Sequence, residues 1–322
     1  MKPITQENDR LGFVGIGYMG RPIARRLLES GFKLTAYDRN RAKAEELVRY
    51  GGTIAESVAG LSSSCNVVLS CLPSDEAVLA TYREPNGVFA NAHHGSVVID
   101  LSTVFPETSQ ELSRLGSERG VEVLDVTISG STPAAENGLL TLFGGGEKEY
   151  FDAAESIFRV IAKKYFYLGP SGSGATMKLV VNTLLGIGMQ AIAEAVALGE
   201  KAGLDRNRLL DVLSQTAVVA PAHVGKLERA MKRDYSPQFP IRLMNKDFAL
   251  IFNLAASLGV RMPTAEIAFE INARQSDEGP EQDFSAVILQ MEKRAHLGSN
   301  GNGRTRSGVD LVQEPPGRRH LP

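Results

Sequence analysis

Three things are scarce in this chain of 322 residues: cysteine, excess charge of one sign, and uninterrupted apolar sequence. Cysteine occurs twice, at Cys65 and Cys71 on one short apolar stretch. That suits a reduced, cytoplasmic protein with two core-filling thiols and excludes a disulfide scaffold. The formal net charge is −2, so no global basic field draws the chain to nucleic acid or to an anionic membrane, and small molecules are the expected partners. Met1 to Arg10 are polar and lack the apolar core of a signal peptide, so they are expected to form a flexible N-terminus. The most apolar stretch, beyond Lys178, is interrupted by Asn182, Gln190, Glu194 and Glu200. It falls short of the roughly 20 apolar residues of a membrane span. The histidines are scattered rather than clustered with acids or cysteines, so no metal site is expected, and no internal repeat is evident.

What is present is ordinary for a globular chain, 43% hydrophobic and 22% charged, with length for two domains of roughly 100–200 residues each. The first half alternates strand and helix patterns, which predicts a Rossmann-type, doubly wound parallel sheet over 11–169. Leu11 to Val14 is a short apolar strand running into Gly15-Ile16-Gly17-Tyr18-Met19-Gly20, followed by a helical pattern from Arg21 to Glu29. In that setting Gly15 makes the tight turn, Gly17 lets backbone approach a pyrophosphate, and Gly20 lets helix and strand pack closely. A second strand, Lys33 to Tyr37, ends at Asp38 and Arg39, near the distance at which such folds place the acid for a ribose. Strands at 66–72 and 96–101 end in Leu72-Pro73 and Ser102-Thr103. Ligands bind outside the carboxyl ends of strands, so these two ends are expected to face a dinucleotide. A further strand, Val121 to Val126, leads into a long loop of small residues from Ser129 to Gly138, including Gly130 and Ser131, whose free backbone N–H groups would favour a carboxylate.

From 170 to 296 the patterns are entirely helical, and from Leu297 the sequence turns to Gly, Ser, Asn, Arg and Pro, the composition of a disordered tail. The two halves meet at Gly172-Ser-Gly-Ala-Thr-Met-Lys178-Leu-Val-Val-Asn182, which opens a helix apolar on nearly every face. Lys178 and Asn182 stand in i,i+4 relation and can point at one bound molecule, while the N–H groups at the glycine-rich head would favour an anion. On those two residues alone a surface lysine beside a hydrated amide would serve as well; the upstream glycine motif decides.

Gly12 to Gly20, Leu72-Pro73, Asp100-Leu101-Ser102-Thr103, Asp125 through Gly138, Gly172 through Asn182, Lys246-Asp247 and Asp283-Phe284-Ser285-Ala286 occur in one order. In that order the chain, from about Leu11 to Arg294, resembles the β-hydroxyacid dehydrogenase family. The resemblance implies an NAD(P)-dependent oxidoreductase acting on a small carboxylate-bearing aldehyde or hydroxy acid, assembled as a homodimer or homotetramer. It implies Lys178 as general acid/base, Ser129 and Gly130 (with Ser131) on the substrate carboxylate, and Asn182 orienting the substrate. Phe239 and Asp247 would also line the substrate site, and Leu72, Pro73, Thr103 and Lys246 would contact the cofactor.

Two departures stand out: Thr127 where many members carry proline, and Ser131 in place of a common second glycine. The Ser-Gly-Ser form looks closest to the glyoxylate/succinic semialdehyde branch, although that branch usually has asparagine where Asp38 stands. Asp38 argues for NAD, while Arg39 and Arg41 argue for NADP, and NADH is the expected preference. Val181 replaces the histidine of 6-phosphogluconate dehydrogenase, and Lys178 counts against an imine reductase or a non-catalytic reader on the same fold.

Overall fold

The computed structural model describes residues 2–297, so Leu297 is the only residue of the expected tail that lies within it. One eight-stranded sheet has the order β3-β2-β1-β4-β5-β6-β7-β8. Its strands are β1 (Arg10–Val14), β2 (Lys33–Tyr37), β3 (Thr53–Ile54), β4 (Val67–Ser70), β5 (Val97–Asp100), β6 (Glu122–Ser129), β7 (Leu140–Gly145) and β8 (Ala162–Tyr167). The first six run parallel, and β1 and β4 flank the point where the strand order reverses. Side chains alternate across the sheet: Val67 and Leu69 of β4 face one layer of helices, and Val68 faces the other. That two-sided burial is what near-continuous apolar strands require.

Three expectations are corrected here. The sheet is mixed, because β7 runs antiparallel to β6 and β8 follows β7 in parallel. Only residues 130–139 separate β6 from β7, fewer than the dozen or so that a parallel crossover needs. The small-residue loop after Ser129 contains a helix, Thr132–Glu136, with Pro133 in its first turn where a missing N–H costs nothing. The N-terminus is not free throughout, since Ile4 is buried, its N–H donates to the Ala153 carbonyl, and its own carbonyl accepts from the Ser156 hydroxyl.

The second half is helical, as its periodicity predicts, with helices Arg206–Ser214, Pro221–Met231, Ile241–Ser257, Pro263–Glu278 and Val287–Arg294. Asp205 caps the first of these through its side chain. They surround the interdomain helix Ser173–Lys201, which begins five residues before Lys178 and packs on β6 and β7 at its head and on the other helices along its length. By length and apolarity alone this helix could cross a membrane, contrary to the expectation that no stretch could. Its buried residues include Gly174, Ala175, Leu179, Asn182, Gly186 and Met189, which pack inside the protein.

The closest approach is at its head. A Cβ on Gly174 would collide with the backbone carbonyl oxygens of Asp125 and Phe143, so β6 and β7 bear directly on helix backbone. Gly174→Ala is therefore expected to cost about 1–3 kcal/mol or more, since neither backbone can yield. Gly225 provides the control: it is exposed within the helix Pro221–Met231, and a Cβ there meets nothing within 4 Å. Gly225→Ala should stabilise by roughly 0.5–1 kcal/mol. Urea unfolding of the two variants beside the parent checks both signs.

Candidate active site

The glycine turn after β1 has the shape its spacing predicts. Gly15 has φ +94°, and a Cβ there would strike the Cys71 carbonyl, while a Cβ on Gly20 would strike the Gly15 carbonyl. Gly17 alone has open space, with nothing within 4 Å of a Cβ. The helix that follows, Gly20–Glu29, has no side-chain cap and no acid in its first turn. Arg21 N–H is taken by the Gly17 carbonyl and Pro22 has no N–H, so it is the opening at Gly17 that fits a pyrophosphate. Tyr18 and Met19 form the outer part of the turn, with Tyr18 exposed.

Asp38 follows β2 and is already engaged: one carboxylate oxygen accepts from Ile16 N–H at 2.8 Å and the other from Asn40 N–H at 2.8 Å. It thereby fixes the glycine turn. Arg39 is exposed. Arg41 is not available in the way its sequence position implies, because its guanidinium pairs with Glu45 and Glu56, at 2.8 and 2.5 Å.

The next two strand ends are tied together by a buried chain of polar groups. Leu72 N–H donates to Ser102 Oγ at 2.9 Å, and the hydroxyls of Ser102 and Ser70 each donate to Asp100 Oδ1 at 2.6 Å. Tyr82 donates in turn to Ser70. Leu72-Pro73 and Ser102-Thr103 are thus held side by side outside β4 and β5. The helical half closes onto them through Lys246, whose ammonium donates to the Thr103 carbonyl at 2.6 Å.

Lys178 is half-buried, and its side chain makes no hydrogen bond or ion pair to any described residue. Burial lowers its pKa to about 8; the nearby Asp247 opposes that shift, Lys246 adds to it, and Cys71 opposes it. The same electrostatic neighbours place it between the end of β4 and the helix Ile241–Ser257. Burial pushes the Cys71 thiol up to about 12, which keeps it neutral beside the lysine. Asn182, fully buried, donates through Nδ2 to Asp247 Oδ2 at 2.6 Å. A carboxylate only accepts, so this contact fixes which way the amide faces and leaves Asn182 Oδ1 without a partner. Asp247 Oδ1 lies 2.9 Å from Lys246 Nζ, an ion pair by distance whose angle is poor for a hydrogen bond.

Ser129 closes β6, Gly130 follows with φ +139°, and Ser131 precedes the short helix. Phe239 packs edge-on against Phe284, ring centroids 5.6 Å apart. Among the described residues no hydrogen bond, ion pair or ring contact joins it to Lys178 or Asn182. The structure thus brings together Lys178, Asn182, Lys246, Asp247 and the ends of β4 and β5, and does not tie Phe239 to them.

The anion expected at the head of the interdomain helix turns out to belong to the protein. Asp125 Oδ1 accepts from Gly172 N–H at 3.0 Å, and Oδ2 accepts from Ala175 N–H at 2.9 Å. Burial raises this carboxyl to about 6, against the lowering effect of both N–H groups. Sequence reading gave Asp125 no role. Its signal was the alternation Asp125, Thr127, Ser129, three polar side chains on one face of a strand.

These features define a two-domain, nicotinamide-dependent oxidoreductase. Residues 10–169 match the family described as the NAD binding domain of 6-phosphogluconate dehydrogenase. Residues 172–291 match the NAD-binding family of NADP-dependent 3-hydroxyisobutyrate dehydrogenase. Glyoxylate/succinic semialdehyde reductase 1 of Arabidopsis thaliana is 36% identical over 86% of this chain and 96% of its own length. The NAD-dependent L-serine dehydrogenase of Pseudomonas aeruginosa is 32% identical over 86% and 96%. The 3-hydroxyisobutyrate dehydrogenase of Mycobacterium tuberculosis, solved with L-serine, superposes with TM-score 0.77 at 28% identity, covering 88% of this chain and 99% of that one. The chain belongs to the β-hydroxyacid dehydrogenase family and is an NAD(P)-dependent dehydrogenase/reductase acting on CH–OH groups.

A lysine whose native pKa lies near 8 rather than 10.5 is an electrostatic burden on the fold below pH 8, where both native and unfolded states carry the proton. The burden lifts as pH rises from about 8 to 10.5 and the native state releases that proton first. Lys178→Met should therefore stabilise the protein at pH 7 by up to about 3 kcal/mol. The gain should vanish above pH 10.5, as thermal melts across that range would show.

Proposed function

We propose that this enzyme interconverts a small aldehyde acid and its hydroxy acid, of the glyoxylate or succinic semialdehyde type, with Lys178 as the general acid/base. The observation that carries the proposal is Lys178 itself: a desolvated ammonium without a partner, held between the end of β4 and Asp247. The nicotinamide supplies the hydride in reduction and accepts it in oxidation. In reduction Lys178 donates its proton to the developing alkoxide, and in oxidation the neutral amine removes the hydroxyl proton. The free Asn182 Oδ1 accepts from the substrate hydroxyl or the ammonium, with Asp247 holding the amide in place. Ser129, Gly130 and Ser131 hold the carboxylate, Phe239 and Asp247 line the far side, and the backbone from Gly15 to Gly20, with Leu72, Pro73, Thr103 and Lys246, holds the dinucleotide.

Lys178→Ala is expected to leave NADH binding nearly intact and to cut kcat by about 10²–10⁴, the scale of a lost general acid. In the parent, reduction should slow as pH rises through about 8 and oxidation should quicken over the same interval. NADH and NADPH oxidation against small aldehyde acids reads the reductive direction, and NAD+ reduction with the matching hydroxy acids reads the oxidative one. Near-normal turnover by the alanine variant would sink the assignment.

The preferred coenzyme is NADH. Each unit-charge pair at about 4 Å and an effective dielectric of 20 is worth roughly 4 kcal/mol before solvent weakens it, so Asp38 and one arginine nearly cancel against a 2′-phosphate. Arg41 is committed to Glu45 and Glu56, which leaves Arg39 as the attracting charge. The decisive contribution is a hydrogen bond from the 2′-hydroxyl to a charged acceptor, about 1.5–3 kcal/mol, which NADPH cannot make. A preference of roughly tenfold for NADH follows. Asp38→Asn should move it toward NADPH and also weaken both coenzymes, because one amide oxygen cannot serve the N–H groups of both Ile16 and Asn40. Unchanged KM values for both coenzymes would show that Asp38 does not face the ribose.

The assembly is a homodimer or larger. The interdomain helix leaves Leu184 at 71% and Leu198 at 73% exposed, beside half-exposed Val180, a row that a second copy would cover. Light scattering at micromolar concentration should give at least twice the chain mass, and a monodisperse monomer contradicts it.

A further inference from the structure

We infer that Asp125 and Thr127 are positioning residues that fix Lys178 relative to the Ser129–Ser131 turn, so that strand β6 sets the distance between the proton donor and the substrate carboxylate. The inference rests on the proposed role of Lys178. Asp125, Thr127 and Ser129 lie on one face of β6. The first two grip the head of the interdomain helix. Asp125 takes the N–H groups of Gly172 and Ala175, one on each oxygen. The Thr127 hydroxyl donates to the Gly174 carbonyl at 2.8 Å. In an α-helix that carbonyl is the acceptor for the backbone N–H four residues on, which here is Lys178. The same oxygen therefore ties Lys178 to β6 through a bond on each side.

No slack is left at this joint. Asp125 and Thr127 are 2% and 1% exposed, and Gly174 sits so close that any Cβ would strike the carbonyls of Asp125 and Phe143. Ser129, two residues beyond Thr127, ends the strand at the proposed carboxylate cradle. The joint is a rigid strand–helix corner with the acid/base on one arm and the cradle on the other. Valine at this position would have no hydroxyl to donate, so the bond to Gly174 depends on the Thr127 side chain.

The test compares Thr127→Val, Thr127→Ser and Asp125→Asn with the parent and Lys178→Ala, using glyoxylate and succinic semialdehyde as probe substrates and NADH fluorescence for coenzyme affinity. Thr127→Ser keeps the hydroxyl and should stay within about twofold of parental kcat, whereas Thr127→Val should lose roughly 5–30-fold, since displacement of a reacting group by 1 Å costs about 10²-fold. Asp125→Asn offers one oxygen to two N–H groups and should lose about 10²-fold in kcat while NADH affinity changes by less than about threefold. In both impaired variants the pH limb of reduction should move upward, as a displaced lysine regains water. If Asp125→Asn does not fold, the threonine pair decides alone. Parental kcat in Thr127→Val, or an equal loss in Thr127→Ser, overturns the inference. If Lys178→Ala itself turns over normally, the acid/base assignment fails instead, and the two failures are distinguishable.

Discussion

The carboxylate of Asp125 on the head of the interdomain helix is the contact on which the rest of the structure depends. Helix N-termini attract anions because their first N–H groups lack intrahelical partners and the macrodipole is positive there. Two helix heads in this protein are treated oppositely. At Gly20–Glu29 no acid is supplied, and the turn before it is left open at Gly17. At Ser173–Lys201 the acid comes from a strand, and the favourable electrostatics join the sheet to the helical half. The consequence reaches Lys178 within one turn.

Desolvation then does chemical work. A lysine in water keeps its proton at any pH where the enzyme is useful, and could not act as a base in the oxidative direction. Enclosure by the interdomain helix and the end of β4 brings its pKa near 8. Asp247 keeps the shift from going further, so the group stays largely protonated near neutrality and can still donate. Asp247 also orients Asn182, and the adjacent Lys246 fastens the same helix to Thr103. One Lys-Asp dipeptide therefore adjusts the acid and closes the two halves over the strand ends.

What the sequence showed depended on whether a residue's reason was local. Gly15, Gly17 and Gly20 were legible because the turn they make is contained in six residues: Gly15 and Gly20 sit against backbone that a Cβ would strike, and Gly17 is left open. The helix starts at Asp205 and Pro263 follow from a side-chain cap in the first and a proline in the opening turn of the second. Asp125 was not legible, since its partners lie 47 and 50 positions away and an aspartate in an apolar strand carries no hint of what it faces. Arg41 misled for the same reason: its neutralising partner Glu56 is 15 residues on, across the β2–β3 edge. The turn beyond Ser129 was read as loop from its small residues, yet Thr-Pro-Ala-Ala-Glu has proline in the first turn and good helix formers after it, which is enough for a short helix.

Thr127 shows why a departure from a family pattern is informative only once its partner is known. In the sequence it was a missing proline. In the fold its hydroxyl reaches the Gly174 carbonyl, on the side of that oxygen not used by the helix's own ladder. A proline would stiffen the strand by fixing its own φ, whereas the threonine stiffens the corner by bonding across it. Both limit motion, but the threonine does so through its hydroxyl, which lies 2.8 Å from the Gly174 carbonyl and 3.4 Å from that of Phe143. The head of the helix that carries Lys178 is accordingly held in part by side-chain chemistry at Thr127.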